Sequence, residues 1–186
     1  MRALISLVLV IVMLTGCGRK SSCVSEMMQL RQHISKGERI TFEANVTADY
    51  GDRIYTFSLM CVADPGGSVD FSIESPDTIA GITGSVSEGV GKLTFDDTVL
   101  LFEPLTQGQL TPAIGPWLMF NAVLGGYVRS ASKGKDGTEV TIDDVFKSES
   151  FQTVLTLNQE QLPICCEIIW NNRRILSIEI NNFTVM

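Results

Sequence analysis

Residues 40–48 alternate without a break: Ile40, Phe42, Ala44, Val46 and Ala48 are apolar, and Thr41, Glu43, Asn45 and Thr47 between them are polar. Successive side chains of a strand point to opposite faces, so this run predicts a half-buried strand with one apolar face. Such a face has to be covered by another layer. The same period returns in Tyr55, Phe57, Leu59 and Cys61 after the turn Tyr50-Gly51-Asp52, and in Val69, Phe71 and Ile73 after Asp64-Pro65-Gly66-Gly67. Proline presets φ and glycine supplies positive φ, which gives the second turn a mechanism. Pro76 predicts a turn and a short edge segment, because proline has no ladder donor. A further hairpin is expected over 82–87 and 91–95, and a strand over 98–102, whose continuous apolar run suggests burial. Period two resumes at 127–131, 138–145, 151–157, 164–170 and 175–183. Asn171-Asn172 tolerates the left-handed backbone that the last hairpin turn needs.

Two stretches have a different period. Met27, Leu30 and Ile34 fall on one face at helical spacing, so 24–36 predicts a helix. Ser22 or Ser25 can cap it, Glu26 suits its first turn, and Gly37 stops it. Residues 112–124 start with proline and end at Gly125-Gly126; from Trp117 to Leu124 only Asn121 is polar. A helix apolar all round must be buried, and this one falls well short of the about 20 residues that span a bilayer. It is expected against the concave face of the sheet. The fold class expected is mainly β (α+β).

The chain opens with Met1-Arg2, an apolar run over 3–14, and Leu14-Thr15-Gly16-Cys17. The run fits a secretory h-region and is too short to span a bilayer. The four residues resemble a lipobox. That resemblance implies a type II signal peptide over 1–16, cleavage after Gly16, and a diacylglyceryl group on the Cys17 thiol. Residues 17–23 are then a lipidated polar tether, and 24–186 a single domain. The expected location is the extracytoplasmic face of the cell membrane. The net charge is −7, and the leader removes only Arg2 among the charges. An acidic chain is a poor nucleic-acid binder and gains nothing from anionic headgroups, so attachment falls to the lipid. Two acyl chains suffice for stable anchoring.

Cys165 and Cys166 are adjacent and point to opposite faces in a strand. Cys61 and one of that pair read as buried free thiols; a disulfide from Cys61 to Cys165 or Cys166 is the alternative a secreted chain permits. No Cys-x-x-Cys pair, phosphate loop or Ser/His/Asp arrangement occurs. The only histidine, His33, reads as a surface residue, and Asp96-Asp97 and Asp143-Asp144 as solvent-facing turn residues. No cofactor or metal is implied, and a non-catalytic protein is expected.

The order of elements, with Pro76 through Gly81 and Leu110-Thr111-Pro112 before the apolar helix, resembles the LolA-like bacterial lipoproteins over 24–183. The resemblance implies an incomplete, strongly curved antiparallel β-barrel with helices on its open side and an apolar cavity for acyl chains. Small relatives of the GerS germination type imply a different role, binding a cell-wall amidase. Two functions are therefore expected. One is a membrane-anchored binder of a lipid or acyl chain, with Phe42, Val46, Phe57, Leu59, Phe71, Ile114, Trp117, Leu118 and Phe120 as candidate cavity residues. The same nine also read as filled core. The other is a tethered protein that recruits or activates a cell-wall enzyme through edge strands or loops such as 64–67 and 133–137.

Overall fold

The runs with a two-residue period become strands. The computed structural model describes residues 18–186 apart from 97, 104, 107 and 108. The leader and Cys17 lie outside the described residues. In chain order the elements are helix α1 (Gly18–Lys36), then strands β1 (Ile40–Asp49), β2 (Ile54–Ala63), β3 (Val69–Ser75), β4 (Thr83–Ser87), β5 (Val90–Phe95) and β6 (Thr98–Phe102). A small hairpin, β7 (Leu105–Thr106) and β8 (Gln109–Leu110), leads into a 3-10 turn (Pro112–Ile114) and helix α2 (Gly115–Gly125). Then come β9 (Tyr127–Lys133), β10 (Thr138–Phe146), β11 (Glu149–Leu157), β12 (Pro163–Trp170) and β13 (Arg173–Val185). Asn171 and Asn172 both have positive φ (51° and 60°), the backbone expected of that turn.

Eleven strands form one antiparallel sheet in the order β6-β5-β4-β3-β2-β1-β13-β12-β11-β10-β9. This corrects the expectation of an incomplete, strongly curved barrel. The order has two ends, β6 and β9, that do not pair with each other, so the fold is an open α+β sheet. Alternation dictates a strand with one apolar face, but it carries no information on whether the sheet closes.

Both helices cover one face. A Cβ built on Gly115 would lie 3.2 Å from Ile178 and 3.3 Å from Leu176, on the face that also carries Val46. Glu26 of α1 accepts hydrogen bonds from Thr138 and from Lys133, the latter at 2.7 Å. Thr138, Val140 and Ile142 are all buried. The two helices are joined by Arg31, whose Nε donates to the Val123 carbonyl at 2.6 Å and whose NH2 group donates to the Gly126 carbonyl at 2.5 Å. A cation at a helix C-terminus satisfies orphan carbonyls and opposes the negative end of the dipole. Asn121, the one polar residue of the apolar helix, donates to the Gly67 carbonyl at 3.0 Å and fastens α2 to the β2–β3 turn.

Helix α1 begins at Gly18, inside the stretch expected as a tether. Cys23 extends the apolar face of Met27, Leu30 and Ile34 by one turn, and all four are buried. Strand β6 departs most from expectation: Val99, Leu100 and Leu101 are 52%, 61% and 67% exposed instead of buried. Asp143 and Asp144 lie within β10 and not in a turn, with Asp143 accepting from Arg129 at 2.6 Å.

Cys23, Cys61, Cys165 and Cys166 are free thiols. Cys61 in β2 and Cys166 in β12 are three strand spacings apart, about 14 Å, whereas a disulfide needs Cα atoms within about 7 Å. The disulfide alternative is thereby overturned. Burial pushes the Cys61 and Cys166 thiols up from their ordinary values, which keeps them protonated and inert.

Candidate functional site: an apolar cleft beyond the helices

Where helix cover runs out, the helix-side face of β2 and β3 opens into a cleft of about 810 Å³. One wall is Tyr55 and Phe57 of β2 with Ile73 of β3; Ile79, from the turn after Pro76, closes its end. The opposite wall is the segment Leu110, Pro112 and Ala113. Tyr50 holds the two walls together. Its hydroxyl donates to the Leu110 carbonyl, and its ring meets Tyr55 edge-on with centroids 6.0 Å apart. Burial, helped by Tyr55, pushes the Tyr50 hydroxyl up to about 12, so it remains a donor at neutral pH. The polar part of the rim is Asp52 and Arg53, a solvent-exposed pair 3.8 Å apart. Surface pairs of this kind contribute little to stability.

The chemistry of this cleft is apolar. A concave, mostly apolar wall with a few polar groups at the mouth is the usual form of a small-molecule site, and such sites span about 300–1,000 Å³. Among the described residues, no group of three or more His, Cys, Asp or Glu comes together to hold a metal ion. His33 is an exposed residue of α1.

Of the nine candidate cavity residues, Phe57 lines the cleft. Phe42, Val46, Leu59, Phe71, Ile114, Trp117, Leu118 and Phe120 are buried in the core. There Phe42 stacks on Phe183 at 5.7 Å, and Trp117 meets the edge of Phe146 at 5.2 Å. The Trp117 indole N–H is buried and finds no acceptor among the described residues. Cys17 lies outside those residues. Sequence reasoning missed Tyr55, Ile73 and Ile79 as cleft residues. The first two share the parity of Phe57 and Phe71, a readable signal. Ile79 gives none, since it sits in a turn that tertiary packing brings to the cleft.

No family model matches the sequence, and no curated protein matches it. Solved structures match in fold. A DUF1329 family protein from Desulfovibrio piger aligns over 89% of this chain and 92% of its own, at TM-score 0.50 and 8% identity. A LolA superfamily protein from Nitrosomonas europaea aligns over 88% of this chain and 93% of its own, at TM-score 0.49 and 7% identity. A conserved protein from Thermus thermophilus aligns over 88% and 87%, at TM-score 0.49 and 8% identity. The likeness is one of fold alone. What is shared is an open antiparallel sheet covered by helices on one face. No helix among the described residues is long and apolar enough to cross a membrane, which leaves β-barrel spanning untouched.

Proposed function

We propose that this chain is a non-catalytic lipoprotein of the LolA-like superfamily. In this reading a lipid on Cys17 anchors it at the extracytoplasmic face of the membrane, and it binds a lipid or other apolar ligand in the cleft walled by Tyr55, Phe57, Ile73 and Leu110. The observation that carries the reading is the open apolar cleft of about 810 Å³. Most of its wall is aromatic or aliphatic, so transfer of an acyl chain from water is favourable by about 25 cal/mol per Å² of apolar surface covered.

Native mass spectrometry of protein taken from its own membrane, before and after mild organic extraction, tests both parts. The expected result is a covalent diacylglyceryl mass on Cys17 and a second, releasable lipid. In a displacement assay with a fluorescent fatty acid, Ile79→Asp is expected to weaken binding about tenfold, since an acyl chain covering that position would have to strip water from a carboxylate. No releasable lipid and no displacement would sink the ligand reading.

A second reading is a tethered protein-binding lipoprotein that recruits or activates a cell-wall enzyme. The exposed apolar strand β6 favours it, because contiguous exposed apolar surface marks interaction sites. Pull-down from native membranes with no protein above background counts against it.

A further inference from the structure

We propose that β6 is a docking edge, where an extended protein segment with an apolar centre and lysine or arginine flanks adds to the sheet as a further strand. This rests on the partner-binding reading and names its surface. Strand β6 ends the sheet, and no described strand pairs with its outer side. Its residues Thr98, Val99, Leu100, Leu101 and Phe102 include no charge. The other edge, β9, carries Arg129 and Lys133, the usual guard against unwanted pairing. The register of β5 with β6 pairs Phe95 with Thr98 across a two-residue turn. Residues that flank such a turn exchange both hydrogen bonds, and the pattern then alternates. The N–H and C=O groups of Val99 and Leu101 therefore point away from β5, toward the open side. Their side chains are among the most exposed apolar ones in the described residues.

Charge selects the occupant. Asp96-Asp97 precede the strand, and Glu103 follows it. Lys147 contacts Glu103 at 3.1 Å, while Asp96 is exposed. A second copy pairing antiparallel about Leu100 would bring the acidic sequence that precedes each strand toward the acidic sequence that follows the other. Like charges directly opposite destabilise a pair of strands. A segment with basic flanks meets the exposed Asp96 with attraction, on a chain of net charge −7.

The test uses the full chain and two labelled peptides, Lys-Thr-Val-Thr-Val-Thr-Val-Lys and the same sequence with glutamate in place of both lysines. Anisotropy reads affinity, and amide hydrogen exchange reads the site. The lysine peptide is expected to bind at least about tenfold more tightly than the glutamate one and to protect the Val99 and Leu101 amides. Val99→Pro removes an outward donor without touching the β5 ladder and should weaken binding about tenfold. Leu101→Lys keeps the backbone intact and should weaken it by a similar factor. Fatty-acid displacement should be unchanged in both variants, which separates this site from the cleft. Undiminished binding in both variants overturns the proposal. Self-association that Val99→Pro abolishes would make the occupant a second copy, and binding to phosphatidylcholine vesicles that Leu101→Lys abolishes would make it a membrane; either overturns it. Protection at 64–67 or 133–137 instead overturns the edge and leaves the partner-binding reading standing.

Discussion

Strand β6 reads Thr-Val-Leu-Leu-Phe, and the first five residues of β10 read Thr-Glu-Val-Thr-Ile. Composition alone would bury the first and expose the second. The molecule does the reverse. Val99, Leu100 and Leu101 face solvent, while Thr138, Val140 and Ile142 are fully buried. The cause is cover. The densest helix contacts with the sheet fall on β9, β10, β12 and β13, the 3-10 turn reaches β1, and β6 lies at the far end of the strand order. Burial here belongs to the layer above a strand more than to the strand, which is why β10 forms core and β6 stays exposed.

The sharpest way to break this comparison is a pair of matched truncations. Ile142→Ala should cost about 3 kcal/mol, because it removes buried methylenes and leaves a cavity under α2. Leu101→Ala should stay within about 0.5 kcal/mol, as expected at an uncovered site. Urea unfolding of the two variants decides it, and equal losses would mean that β6 is covered in solution. Next in size is Arg31→Met, which keeps the stem and strips the donors from the carbonyls of Val123 and Gly126. A loss of about 2 kcal/mol is expected, since a hydrogen bond from a charged group contributes about 1.5–3. Hydrogen exchange should quicken at the end of α2 and stay unchanged in β5 and β6. Faster exchange in β6 would show that helix cover stabilises that edge as well.

The smallest effect concerns pH. Burial tends to raise the Glu26 carboxyl, but the hydrogen bonds from Lys133 and Thr138 and the Lys133 charge outweigh it, so it titrates below its ordinary 4.5. A carboxyl lowered by folding contributes fully above its unfolded value and loses that contribution as pH falls through the folded one. Glu26→Gln should therefore be less stable than the parent near neutral pH, and the gap should close as pH drops through and below 4.5. Urea midpoints near neutral pH and well below the ordinary carboxyl range measure this; a gap that persists in acid would assign the effect to packing.

Much of the fold was legible from local chemistry. Alternation in β1, proline at the start of the Pro112 turn and paired asparagines before β13 each have a short-range cause, and the structure follows them. The cleft was legible only in part. Phe57 shows in the pattern, and Tyr55 and Ile73 share faces with residues already singled out. Ile79 and Leu110 come from separate connections, and nothing local says that they meet. The other eight candidates were chosen from the apolar face of the sheet and from the apolar helix; apolar character is a property that core and cavity walls share, and packing put them in the core.

By itself, then, the sequence determined the elements: period two makes strands with one apolar face, and the unbroken run from Trp117 to Phe120 makes a helix that has to be buried. Tertiary structure alone decided that the sheet stays open, that the helices cover one face of it, and that β6 and the cleft lie beyond their reach. The physical reason is range. Strand and helix period are set by neighbours a few residues apart, whereas closure, cover and cavity depend on contacts between elements distant in the chain, such as Arg31 with Val123 and Tyr50 with Leu110.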